Sequence, residues 1–110
     1  MNDHAHLELH PLKQITIVAE TVLRDRITRR LLDWGATGFT VTETTGKGSR
    51  GIRTGDVPGE SVRIETLVTR DVAIRILEEV KERYFADYAV IAWVTEVEVV
   101  RGEKYVGDES

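Results

Sequence analysis

The stretch GFTVTETTGKGSRGIRTGDVPGESVRIETLV, residues 38–68, decides the fold. Its first segment, Gly38 to Thr45, alternates, with Phe39, Val41 and Glu43 set against Thr40, Thr42 and Thr44. Its last segment, Ser61 to Val68, alternates again, with Val62, Ile64 and Thr66 pointing one way. A period of two in β-favouring residues predicts a strand on each side. Between them, Thr44 to Glu60 hold five glycines, one proline and three basic residues. The pair therefore reads as a hairpin whose connection, about seventeen residues, is far longer than turning requires.

Upstream, KQITIVA at residues 13–19 places Ile15, Ile17 and Ala19 on one face and Thr16 and Val18 on the other. Both faces are apolar or small, as in a central strand. From Leu23 to Trp34 the period changes to Leu23, Ile27, Leu31, Trp34, an apolar helical stripe with arginines opposite and Gly35 as its stop. Downstream, Thr69 or Asp71 caps a second helix over residues 70–85, with Val72, Ile76, Leu77, Val80 and Tyr84 as its stripe. DYAVIAWVTEVEVV, residues 87–100, is a long β-prone run, either one bent strand or two short ones.

The order β-α-β-loop-β-α-β predicts an α+β fold, the ferredoxin-like βαββαβ plait: four antiparallel strands with two helices on one face. The other face is then uncovered, and the VIAWV run predicts Ile and Val side chains on it, which favours self-association. Residues 1–12 are a polar, flexible lead-in, 13–106 the single domain and 107–110 a tail, with Tyr105 and Val106 able to pack back on the domain.

Composition narrows the function. A chain of 110 residues with 41% apolar and 31% charged residues supports one modest core. The absence of cysteine rules out disulfides, thiolate metal sites and cysteine nucleophiles. No apolar run reaches membrane-spanning length, and MNDHAHLELHP lacks a secretory pattern, so a cytoplasmic location is expected. The net charge of −4 argues against a nucleic-acid partner. The cations are nevertheless clustered: Arg24, Arg26, Arg29 and Arg30 in one segment, Lys47, Arg50 and Arg53 in the loop. The first cluster reads as a solvated helix face paired with nearby acids.

The loop does not match a P-loop. Val41 stands where G-x-x-x-x-G-K-[ST] needs its first glycine, Gly48 rather than a hydroxyl residue follows Lys47, and a strand follows instead of a helix. Anion binding by another geometry fits: glycines let backbone N–H groups approach an anion, and arginine forks match phosphate oxygens. A solvated loop fits the composition equally well.

Catalysis has thin support. Glu43 with Glu65, or Asp87 near Tyr88, are the candidate groups, and no histidine base lies inside the fold. His4, His6 and His10 read as a solvated tail, not a metal site. The aromatic motif of an RNA-recognition sheet is absent, at 6% aromatic residues.

GATGFTVTETTGKGSRGIR, residues 35–53, together with RYFADYAVIAWVTEVEVVRGEKY, residues 83–105, resembles the PII-like signalling proteins of inorganic-carbon metabolism. These are encoded beside bicarbonate transporters (SbtB type) or carboxysome genes (CPII type). The resemblance implies a homotrimer, not an enzyme, binding adenine nucleotides between subunits: ADP or AMP, with ATP and cyclic AMP as further candidates, and bicarbonate beside them. It implies that the long loop is a T-loop ordered by ligand, through which a bicarbonate transporter or a carboxysome-related partner is controlled.

By that resemblance, Lys47, Arg50 and Arg53 hold the phosphates, and Gly46, Gly48 and Ser49 supply backbone and hydroxyl donors. The adenine lies near Thr37, Gly38 and Thr40 of one subunit and meets Tyr88, Ala89 and Val90 of its neighbour, with Arg101 reaching the phosphates. No catalytic residue, metal or further cofactor is implied. The family often has glycine where Val90 stands. The chain also lacks the C-terminal cysteine pair of many transporter-type members, which favours the carboxysome-associated branch and removes redox control. The alternatives are a CutA-like trimeric metal-tolerance protein, which needs His or Cys inside the fold, and a small-molecule enzyme of the same plait using Glu43 or Glu65.

Overall fold

A computed structural model describes residues 7–46 and 59–101. The elements run β1 (His10–Glu20), a single 3-10 turn (Thr21–Leu23), α1 (Arg24–Asp33), β2 (Thr40–Gly46), β3 (Gly59–Val68), α2 (Arg70–Tyr84) and β4 (Val90–Val99). The four strands form one sheet in the order β2-β3-β1-β4. Every neighbouring pair is antiparallel. This is the α+β plait that the alternation and helical periods predict.

β1 is central because both of its faces are usable. Ile15, Ile17 and Ala19 are fully buried and meet Val62, Ile64, Val68 and Val90 of the flanking strands. Onto that face pack Leu23, Ile27, Leu31 and Trp34 from the first helical segment and Ala73, Ile76, Val80 and Tyr84 from the second. Each fully buried Leu, Ile or Val here contributes about 1.5–3 kcal/mol over leaving it exposed.

Local chemistry sets the helix ends. α1 closes with Ala36 N–H donating to the Leu31 carbonyl (2.9 Å) and Gly35 N–H to that of Leu32 (3.2 Å). These are the two bonds of a Schellman cap. Gly35 adopts φ +115°, and a Cβ there would stand 3.1 Å from Val72 Cγ2 on α2. Glycine thus both ends α1 and lets α2 approach. Thr69 caps α2, its hydroxyl accepting from the Val72 N–H at 3.5 Å.

Boundaries differ from the sequence reading at the start of β1 and at both ends of the long connection, and β4 takes one of the two forms that its run allowed. β1 starts at His10, not Lys13, and its extra residues pair with β4 alone, Pro11 standing opposite Glu98. The β3 side of β1 is open there, so a residue without an N–H is tolerated. β4 is one strand. Its second half, with Glu96 and Glu98, pairs with β1 down to His10, and Lys13 bonds Glu96 across the ladder at 2.7 Å. Finally, the β2–β3 ladder continues through Thr44↔Ser61, Thr45↔Glu60 and Gly46↔Gly59. The ends of the long connection are thus strand, pinned by a Thr44–Ser61 hydroxyl bond of 2.8 Å.

The face away from the helices is not the simple Ile and Val surface expected. Ile91 and Trp93 are exposed on it, but Glu65 occupies its centre and accepts from Gln14 Nε2 (3.1 Å) and Arg63 Nε (3.4 Å). The Arg63 guanidinium lies 5.4 Å from the Trp93 ring centroid. Thr16, opposite Glu65 and Trp93 in register, is fully buried, and its hydroxyl has no hydrogen-bond partner among the described residues.

Candidate functional site

The loop's root is the open end of the β2–β3 ladder. A cleft of about 460 Å³ lies beside it, lined by Thr21, Glu43, Thr44, Thr45, Glu60 and Ser61. Glu43, on its wall, meets Arg24 at 3.5 Å. Gly46 is placed at the strand end, opposite Gly59. Lys47, Gly48, Ser49, Arg50 and Arg53 fall outside the described residues.

Thr37, Gly38 and Thr40 are brought together. They line one cleft of about 400 Å³ with Phe39, Gln14, Glu65, Thr66 and Leu67. Local sequence explains its shape. Thr66, buried on β3, donates its hydroxyl to the Gly38 carbonyl at 2.6 Å and ties the approach to β2 against the sheet. A Cβ on Gly38 would meet nothing within 4 Å, so glycine here leaves the mouth open.

Tyr88, Ala89 and Val90 open β4 at a different place. Tyr88 N–H donates to the Tyr84 carbonyl (3.0 Å), and the two rings meet edge to face with centroids 6.1 Å apart. Tyr88 Oη accepts from Arg26 Nη1 at 2.9 Å, and this bond holds the Arg26 guanidinium above its ordinary pKa. The Ala89 N–H, in a residue 2% exposed, donates to Glu20 Oε2 at 2.7 Å. Val90 is buried and pairs with Ala19.

One chain does not bring these groups into a single site. β2 and β4 are opposite edges of the sheet. At about 4.8 Å per strand, Thr40 and Val90 are separated by roughly 14 Å across the sheet. Arg101 is exposed beyond the far end of β4, on the order of 30 Å along the strand from Val90.

The carboxylate pair considered for catalysis is not a pair. Glu43 stands opposite Val62 and Glu65 opposite Thr40 in the register, so the two side chains project from opposite faces of the hairpin. Among the described residues there is also no cluster of three or more His, Cys, Asp or Glu able to hold a metal ion. No helix among them is long and apolar enough to cross a membrane.

The sequence reading missed three contributors. Gln14 and Thr66 line the β2 cleft, and Glu20 anchors Ala89 from the adjoining strand. Only the pairing register reveals them: Gln14 stands opposite Leu67, and Glu20 ends the strand whose Ala19 pairs with Val90.

The chain matches the family described as Nitrogen regulatory protein P-II over residues 12–104. Among solved structures, a PII-like signaling protein of Thermus thermophilus is 46% identical, with a TM-score of 0.78 and coverage of 90% of this chain and 99% of that one. CPII of Thiomonas intermedia, in a structure with ADP, AMP and acetate, is 25% identical, with a TM-score of 0.76 and coverage of 90% and 98%. A second structure of that protein, with ADP and bicarbonate, matches at 24% identity, a TM-score of 0.77 and coverage of 90% and 98%.

Proposed function

The chain belongs to the nitrogen regulatory protein P-II family, and we propose that it is a non-enzymatic sensor that binds an adenine nucleotide between the subunits of a homotrimer. ADP or AMP is the favoured ligand, as in the CPII structure, with ATP and cyclic AMP as competitors and bicarbonate as a co-ligand. Thr37, Gly38 and Thr40 of one subunit face the adenine, and Tyr88, Ala89 and Val90 of the next complete the pocket. Lys47, Arg50 and Arg53 hold the phosphates, with Gly46, Gly48 and Ser49 as donors beside them and Arg101 as a further cation.

The strand order carries this reading. The two groups of residues stand at opposite edges of one sheet, which supports a site that draws each group from a different copy. Arg101, distant from Tyr88–Val90 in its own chain, belongs in this scheme to a different subunit's pocket from those residues.

The physical switch follows from charge. Lys47, Arg50 and Arg53 repel one another, and an anion among them removes that cost. Binding thereby offsets the entropy of fixing the connection, on the order of 1 kcal/mol or more per residue. The connection acts as a T-loop whose ordered form differs in its contacts with a partner. A bicarbonate transporter or a carboxysome-related protein is the proposed target.

Isothermal titration with AMP, ADP, ATP and cyclic AMP, each with and without bicarbonate, tests the assignment. Arg50→Ala is expected to weaken ADP at least tenfold, about 1.4 kcal/mol. An unchanged affinity would show that the loop cations do not hold the phosphates.

A further inference from the structure

A cationic cleft lies between the two helices, lined by none of the residues assigned above to the nucleotide. It measures about 650 Å³, and its walls are Arg26, Arg29, Arg30, Asp33, Arg83 and Tyr84. Four guanidinium groups thus share one cavity with a single carboxylate, in a chain whose net charge is −4.

The arrangement follows from helical spacing. Arg26, Arg29 and Arg30 stand at i, i+3 and i+4 of α1, so they share one face. Arg83 joins them from the last turn of α2. Their pairing differs from that of a solvated ionic face. Arg24, just outside the cleft, meets Asp25 and Glu43. Arg29 and Arg30 have no carboxylate partner among the described residues, although Asp33 lines the same cleft. Arg83 is joined to Glu79 through its Nε at 2.8 Å. Arg26 is oriented by a neutral partner: it bonds Tyr88 Oη and lies 5.7 Å from that ring's centroid, while Tyr88 stands edge to face on buried Tyr84.

We propose that this interhelical cleft is a second anion site, which takes a compact polyphosphate group. The guanidinium fork donates paired hydrogen bonds to phosphate oxygens and stays charged at every physiological pH. Several forks on adjacent turns suit an anion with several oxygens close together. A compact cluster of this kind differs from the extended basic stripe that a nucleic-acid strand follows. Such a ligand would read the packing of α1 on α2 and the pose of Tyr88, whatever occupies the proposed nucleotide pocket.

The test uses inorganic tripolyphosphate as the probe and the full chain at low ionic strength. Titration calorimetry should show a site that weakens with added salt. The Tyr84 and Tyr88 ring resonances should shift in NMR as it fills. Arg29→Ala with Arg30→Ala should weaken that site at least about tenfold and leave the ADP titration unchanged. Arg50→Ala with Arg53→Ala should leave the tyrosine shifts intact, which separates this site from the loop. Tyrosine resonances that stay still, or equal tripolyphosphate affinity in the Arg29/Arg30 double variant, would overturn the proposal.

Discussion

Glu20→Ala should destabilise the protein by about 1.5–3 kcal/mol, through the loss of one bond between β1 and the start of β4. The Glu20 carboxylate accepts from the Ala89 N–H at 2.7 Å, and Ala89 is 2% exposed. Truncation to alanine strands that N–H away from water, and a buried donor that loses a charged partner costs roughly that amount. For a domain of this size the loss corresponds to a fall in Tm on the order of 10 °C. Glu20→Gln keeps an acceptor oxygen and should lose about 1 kcal/mol or less. The assay is urea unfolding at matched protein concentration, because assembly contributes to the apparent stability. Amide exchange at Ala89 gives the local readout, and its protection should fall in the alanine variant before the core opens. If Glu20→Ala unfolds within about 0.5 kcal/mol of the parent with Ala89 equally protected, then the bond adds nothing and the anchoring argument fails.

Other perturbations follow from single contacts. Gly35→Ala should cost about 1–3 kcal/mol by thermal unfolding, because alanine is strained at φ +115° and its Cβ would press on Val72. Thr16→Val should stabilise by about 1 kcal/mol in the same assay, since it removes a buried hydroxyl without a partner among the described residues. A loss of stability would instead mean that the hydroxyl is satisfied in the assembled protein. The bond and charge from Lys13 hold the Glu96 carboxyl below its ordinary pKa. A lowered folded pKa contributes stability that is present above the unfolded pKa and is lost as pH falls through the folded one. Lys13→Ala should therefore move the Glu96 NMR titration upward and remove that acid-side dependence.

Much of the fold was legible because burial imposes a period. Ile15, Ile17 and Ala19, then Leu23, Ile27, Leu31 and Trp34, are buried as their spacing requires. What escaped reading depends on partners remote in sequence. Gly46 and Gly59 look like loop but pair as strand, because the ladder of Thr44 and Ser61 carries them. His10 and Pro11 look like lead-in but are held by Glu98 and Val99 of β4. The open face was read as aliphatic because Gln14, Arg63 and Glu65 converge only once β1 and β3 are in register. Of the candidate site, Thr37, Gly38 and Thr40 were named from the family resemblance, and they line one cleft. The resemblance also assigned Tyr88–Val90 to a neighbouring subunit; that the two groups stand at opposite edges of one sheet has no periodic signature along the chain.

The placement of β2 and β4 at opposite margins has a stoichiometric corollary. In a ring of chains each pocket that draws on both margins has two owners, and each chain is a half-owner of two pockets. A defect confined to the β2 margin and a defect confined to the β4 margin, carried by different chains, then fall together in some pockets of a mixed ring and leave others whole. Two inactive variants co-assembled would complement one another, and sensitivity to the ligand would scale with the mixing ratio instead of vanishing.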